Sequence, residues 1–179
     1  MFTTGLKKTT PTQLNEQTFY ELDELYWFVE RKSKSKTREN VYLITMVSRN
    51  PRQIVGFDVA RDKSPGRIQA IVDSAPGAKY YCTDGDLTYI NVIYPGRHVR
   101  NVANKKDTYT VESINADLRH YIPILARRSR CFARKIDTLY AVMAVFVEAY
   151  NRFAEAKSKF RHGRNYKSRE LPFSVLDFI

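Results

Sequence analysis

The sequence predicts an α/β domain with a mixed sheet, in which three antiparallel strands are followed by parallel strands with flanking helices. The first three strands are predicted over residues 19–29, 41–48 and 54–60. These runs are rich in Tyr, Val, Ile and Phe and are joined by short polar connections, which is typical of an antiparallel meander. A helix then begins at Ser64-Pro65, where Ser is a good N-cap and Pro fits the first helical position. The next strand, residues 78–82, should lie parallel in the sheet because the helix carries the crossover.

The crossover helix is predicted at about 65–74, and the elements after the fourth strand are short until about residue 110. They are a short helix at 86–94, a short strand at 98–101 and a basic loop to residue 108. Apolar residues from Val111 to Leu125 then follow helical spacing and predict a helix of about 110–126. Pro123 should kink that helix near Arg119, because proline disrupts the preceding turn.

The last predicted helix covers residues 136–153, which are rich in Leu, Val, Met, Phe and Tyr. Because it is apolar on most sides, we expect it to be buried. The domain is therefore predicted over residues 19–156. An N-terminal arm at 1–18 precedes it, and a basic tail at 157–179 follows and ends in an apolar peptide suited to docking.

The charge balance indicates a polyanionic partner. The chain has 30 Lys and Arg residues against 19 Asp and Glu, a formal net charge of +11. This excess favours nucleic acid as the partner, although a merely soluble basic surface is the alternative. No run approaches a membrane span, and the N-terminus does not resemble a signal peptide. The two cysteines, Cys82 and Cys131, are far apart and form no zinc-binding pair, so we expect a cytoplasmic protein with two reduced thiols.

Three carboxylates stand where a metal site would need them. Asp23 lies in the apolar first strand, and a buried strand rarely keeps a carboxylate unless something pairs with it. Asp84 directly follows the fourth strand, at the end of the sheet where sites of α/β proteins gather. Glu112 lies in the helix that begins near residue 110. Two-metal phosphoryl transfer uses such a cluster, because Mg²⁺ and Mn²⁺ prefer carboxylate oxygens.

Each of these carboxylates also has a structural interpretation. Asp23 could pair with an arginine near a strand end, and Glu112 could be a first-turn acid that the helix dipole favours. Asp84 could belong only to a turn, with Asp86 as the ligand instead. Asp58, on the third strand, is the best candidate ligand outside the three.

Four segments together resemble the DDE transposases with an RNase H-like catalytic domain. They are ELDELYWFV, YYCTDGDLTY, PGRHV and VESINADLRHYIPILARRSRCF. More narrowly, the chain resembles the catalytic part of transposases from very small bacterial insertion sequences. The resemblance covers about residues 21–153 and aligns Asp23, Asp84 and Glu112 with the catalytic, metal-binding triad.

The resemblance implies a fold, a reaction and partners. It implies an RNase H-like sheet and two Mg²⁺ or Mn²⁺ ions per active site. The reaction would be cleavage and strand transfer at insertion-sequence ends, in the cytoplasm of a bacterium or archaeon. DNA would be the substrate, and a homo-oligomer would join two element ends. Because neither zinc-ligand spacing nor a helix-turn-helix precedes Asp23, we also expect a DNA-binding region on another frame or a separate subunit.

Several residues near the triad are candidate DNA contacts. Asn115 and Arg119 lie three and seven residues after Glu112, so the three share one helix face. Asn115 could contact DNA or Glu112, although an ordinary amide on the helix surface is favoured. Arg119, at a position that is often basic in this family, could clamp a phosphate, or it could be an ordinary surface arginine. A basic segment contributes further predicted contacts along the phosphate backbone: Arg127, Arg128, Arg130, Arg134 and Lys135.

Other side chains have weaker functional interpretations. Residues 31–38 form a second basic patch, and a solvated charge run is the alternative for both patches. Trp27 could stack on a base, although core packing is favoured. His98 and His120 could support the site, but single histidines are more often structural.

Two functions from different classes are consistent with the sequence. The first is a DDE-type transposase subunit, in which water cleaves one strand and the freed 3′-hydroxyl attacks target DNA. The alternative is a non-catalytic DNA-binding or regulatory protein that has kept the fold. A nuclease acting on RNA–DNA hybrids or branched DNA is a related enzyme, and fold alone does not decide between these chemistries.

Overall fold

The computed structural model describes residues 18–30, 38–101, 107–126 and 133–161. Almost all of the predicted N-terminal arm and most of the predicted tail lie outside these residues. So do Arg127, Arg128 and Arg130 and nearly all of the basic patch at 31–38.

The described strands form one mixed sheet, which confirms the predicted α/β class. They are β1 (Phe19–Glu30), β2 (Arg38–Ser48), β3 (Gln53–Ala60), β4 (Tyr80–Thr83) and β5 (Arg97–Arg100). Their spatial order is β3-β2-β1-β4-β5. The first three strands are antiparallel, whereas β4 pairs parallel with β1 and β5 pairs parallel with β4. The long strand β1 therefore lies at the centre, where the antiparallel and parallel parts of the sheet meet.

Three helices and two 3₁₀ turns complete the described part of the chain. They are α1 (Pro65–Ser74), α2 (Tyr109–Tyr121) and α3 (Ile136–Arg161), with 3₁₀ turns at Leu87–Asn91 and Pro123–Leu125. The predicted bounds of α1 are confirmed. Of the helices described, none has the length and apolar character needed to cross a lipid bilayer.

The prediction of a kinked helix continuing to residue 126 is wrong. Helix α2 ends at Tyr121, and Ile122 is extended, with φ −101° and ψ 103°. Steric contact with the ring of Pro123 disfavours helical geometry at the preceding residue, so the helix stops there. The apolar pattern continued because Ile122 and Leu125 are still buried, although they have left the helix.

The sheet separates two apolar layers, because successive side chains of a strand point to opposite faces. On one face, Leu22, Ile44 and Met46 pack with the buried side of α1. On the other face, a second cluster joins the sheet to α2 and α3 through Leu25, Leu43, Val59, Leu118, Leu139 and Met143. Asp23 belongs to the strand positions that face α2.

Helix α3 is longer and less buried than predicted. It runs to Arg161 rather than Phe153. Leu139 and Met143 are fully buried, but Tyr140 and Val145 are 47% and 50% exposed. Among residues 136–152 of α3, whose side chains are described, one side covers the sheet and the other is exposed, so the prediction of a helix buried on most sides is wrong.

Candidate active site

Five residues singled out in the sequence line one cavity at the centre of the sheet. The cavity has a volume of about 350 Å³. It is lined by Asp23, Asp84, Glu112, Asn115 and Arg119, together with Glu24, Leu25 and Thr108. Three separate elements thus bring the predicted acids and two predicted DNA contacts to the same place.

Asp23 lies in the middle of β1 and is held by an amide. Its Oδ2 accepts a hydrogen bond of 2.9 Å from Nδ2 of Asn115. Burial raises the pKa of Asp23 from 3.8 to about 6, and the negative charges of Glu24 and Asp84 add to this effect. Because the ionised form is disfavoured where it stands, a cation near Asp23 would relieve an existing electrostatic cost.

Asp84 stands beside Asp23 because of the strand register. Glu21 is the β1 partner of Cys82 on the parallel strand β4. Asp23 and Asp84 each lie two residues beyond this pair, so Asp84, just past the end of β4, is level with Asp23 on β1. The Oδ1 of Asp84 accepts a 2.9 Å hydrogen bond from the backbone N–H of Asp86, which fixes the turn after β4.

Glu112 reaches the cavity from the first turn of α2. A buried acid anchors this turn: Oε2 of Glu21 accepts hydrogen bonds from the backbone N–H groups of Thr110 and Val111, at 2.7 and 2.9 Å. Glu21 is 0% exposed, and its other oxygen accepts from Nε of Arg49 at 2.7 Å. The sequence contains Glu21 in the same apolar strand as Asp23, but nothing in it indicated this anchoring role.

Asn115 is engaged inside the protein. It is 5% exposed, and its Oδ1 accepts a 3.3 Å hydrogen bond from the hydroxyl of the buried Thr45. Since Thr45 is the antiparallel partner of Asp23 on β2, the amide links Asp23 to the neighbouring strand. The contact between Asn115 and DNA stays a prediction, as does the phosphate contact of the half-buried Arg119.

The other predicted basic contacts lie farther along the chain. Of the basic segment, Arg134 and Lys135 fall within the described residues, and both are exposed. Their role in DNA binding stays a prediction.

The three predicted ligands share a cavity without forming a closed metal cluster. Among the described residues, no three Asp, Glu, His or Cys side chains lie close enough together to hold a metal ion. The oxygen donors fit Mg²⁺ or Mn²⁺ in chemistry. The burial and the neighbouring negative charges that raise the pKa of Asp23 also fit a cation site. Binding by all three carboxylates would require their side chains to move towards the ion.

The two alternative ligands have basic partners. Asp86 accepts hydrogen bonds from the ammonium of Lys63 and from the backbone N–H of Thr88, and these lower its pKa to about 2. Asp58 accepts from Nη1 of Arg67 at 3.1 Å and does not line the cavity. Sequence reasoning missed Lys63, whose position beside the site depends on how α1 and the turn after β4 pack.

Trp27 and His98 have structural contacts. The indole N–H of Trp27 donates a 2.8 Å hydrogen bond to the carbonyl oxygen of Ile124, which favours the packing interpretation. His98 Nε2 lies 2.9 Å from the hydroxyl of Thr83, the residue before Asp84. Burial and the neighbouring Arg100 lower the pKa of His98. His120 is exposed on α2, with its ring edge against Tyr121.

Comparison with known proteins adds no relative: no protein-family model and no curated protein matches this chain.

Proposed function

We propose that this chain is the catalytic subunit of a DDE-type DNA transposase with an RNase H-like domain. The observation that carries the proposal is the convergence of Asp23, Asp84 and Glu112 on one cavity from β1, the end of β4 and α2. The sheet supports it, because three antiparallel strands are extended by parallel strands next to the one that bears Asp23. The formal net charge of +11 supports a nucleic-acid substrate.

The five cavity residues that the sequence singled out each have a role in this proposal. Asp23 on β1 and Asp84 at the end of β4 would hold the cations, and Glu112 would complete the set from the helix. Divalent ions held there would activate the attacking oxygen and stabilise the leaving one. Arg119 receives the phosphate that carries the scissile bond. Asn115 keeps the carboxylate of Asp23 turned towards the cavity.

The test is Mn²⁺-dependent nicking of supercoiled plasmid DNA, compared between Asp84→Asn and Asp58→Asn. Both changes remove one carboxylate from the sheet region, but only Asp84 lines the cavity. We expect Asp84→Asn to keep its thermal stability and plasmid binding and to lose nearly all nicking. Asp58→Asn should nick as the wild type does. Retained Mn²⁺-dependent nicking in Asp84→Asn would overturn the assignment.

A second candidate function is DNA binding without catalysis. It is favoured by the spacing of the acids, since no three of the described metal-binding side chains are clustered. In that case the wild type would not nick DNA with Mn²⁺. Asp84→Asn would then bind plasmid as well as the wild type or more tightly, because a negative charge facing the phosphates is lost.

A further inference from the structure

A second group of charged residues lies directly beside the proposed ligands. The ammonium of Lys63 donates to Oε1 of Glu24 at 2.5 Å and also to Oδ2 of Asp86. Glu24 is the chain neighbour of Asp23, and Asp86 lies two residues after Asp84. The ammonium of Lys63 therefore connects the segment that contains Asp23 to the segment that contains Asp84.

The remaining oxygens of this group also have hydrogen-bond donors. The hydroxyl of the fully buried Tyr89 donates to Oε2 of Glu24. Oδ1 of Asp86 accepts from the backbone N–H and the hydroxyl of Thr88, at 2.8 and 2.7 Å. All four oxygens of Glu24 and Asp86 thus accept hydrogen bonds within the protein.

Two groups of acids near the cavity have the same kind of ligand atoms. Carboxylates of Asp and Glu are equivalent donors for Mg²⁺ and Mn²⁺, so a cation could bind to Glu24 and Asp86 as well as to the proposed ligands. Glu24 and Asp86 must already lie close together, because one ammonium contacts both. The ammonium of Lys63 is a compact point charge that offsets one of the two negative charges and occupies the space between the carboxylates without an ion from solution.

We propose that the ammonium of Lys63, by binding Glu24 and Asp86, prevents divalent ions from binding these two acids. Divalent ions therefore bind only at Asp23, Asp84 and Glu112. Lys63 is then a positioning residue that also determines where the metal binds. The inference rests on the proposed function for the identity of the ligands. The contacts of Lys63 themselves do not depend on it.

The test counts Mn²⁺ ions bound per chain without DNA, by electron paramagnetic resonance of free Mn²⁺ during titration. Lys63→Met removes the ammonium and should bind one more ion than the wild type, because the vacated space lies between two carboxylates. Adding Asp86→Asn to Lys63→Met should abolish the extra ion. Lys63→Arg keeps the charge and should bind as many ions as the wild type.

The outcomes separate this inference from the proposed function. If the wild type binds Mn²⁺ and Lys63→Met binds no additional ion, the role of Lys63 is refuted and the proposed function stands. If the wild type binds none and Lys63→Met gains one ion that requires Asp86, the role of Lys63 is supported and the metal-dependent function fails. Circular dichroism checks folding. Lys63→Gln replaces Lys63→Met if the latter is unfolded, since an amide still donates hydrogen bonds to the carboxylates without the charge.

Discussion

Replacing Asp23 by Asn should make the metal-free protein more stable at neutral pH. The pKa of Asp23 is raised in the folded protein from 3.8 to about 6, first by burial and then by the charge of Glu24. The folded protein therefore holds this proton more tightly than the unfolded chain does. The stabilising contribution of the carboxyl group is complete below about pH 4 and is lost as the pH rises through about 6.

The magnitude follows from the same pKa. A rise from 3.8 to about 6 corresponds to about 3 kcal/mol, at about 1.4 kcal/mol for each pH unit. Because the side chain is only half-buried and faces a cavity, we expect about 1–3 kcal/mol at pH 7. Asparagine has nearly the same shape and can still accept the hydrogen bond of Asn115, but it carries no charge. The gain should shrink towards zero near pH 4.

Urea unfolding in EDTA at pH 7 and pH 4, followed by circular dichroism, measures this difference. Asp62→Asn is the matched control, because hydrogen bonds with Ser64 lower the pKa of this exposed carboxyl. That variant should be no more stable than the wild type at pH 7. If Asp23→Asn were equally or less stable than the wild type at pH 7, the reasoning that burial and neighbouring charges disfavour the ionised Asp23 would be refuted.

Three further changes, two of them with a control variant, test the fold and the charge, by urea unfolding except for the last. Glu21→Gln should lower the free energy of unfolding by about 3 kcal/mol or more, because a buried carboxylate loses charge-assisted hydrogen bonds. Glu39→Gln, in an exposed ion pair, is the control and should lower the free energy of unfolding by less than about 1 kcal/mol. Equal losses of stability in Glu21→Gln and Glu39→Gln would contradict the anchoring role of Glu21. Gly96→Ala should cost about 1–3 kcal/mol or more, since the new Cβ would lie 2.1 Å from a backbone oxygen. Gly66→Ala, a helical position with open space, should gain about 0.5–1 kcal/mol; a loss there would be unexpected. Arg134→Gln should reduce the slope of log K for DNA against log salt by about 0.9, and an unchanged slope would exclude Arg134 as a phosphate contact.

Local patterns were sufficient to predict most of the sheet. Apolar runs with polar connections defined the antiparallel strands, and the helix after Ser64 required β4 to be parallel. The register of β4 then places Asp84 beside Asp23. The spacing of Glu112, Asn115 and Arg119 along one helix face correctly predicted that they would face the same space.

The end of α2 was predicted incorrectly because burial and helicity are different properties. Leu125 is fully buried and continues the apolar pattern, yet it belongs to a 3₁₀ turn that begins at Pro123. Burial is decided by packing on the sheet, whereas the end of the helix is decided by the backbone next to proline.

The different roles of the acids in β1 could be predicted only in part. Strand alternation alone puts Glu21 and Asp23 on one face and Glu24 on the other. Their partners come from distant parts of the chain: Glu21 binds Arg49, and Glu24 binds Lys63. No local pattern indicates which acid receives a basic partner and which faces the cavity, so these roles depend on tertiary packing.

The central claim is that Asp23, Asp84 and Glu112 bind divalent metal together. Anomalous diffraction from crystals of the protein soaked in Mn²⁺ tests this most directly. We expect one or two anomalous peaks within coordination distance of the Asp23 and Asp84 carboxylates, with Glu112 turned towards them. No peak in the cavity at saturating Mn²⁺, with the three carboxylates still apart, would contradict the account.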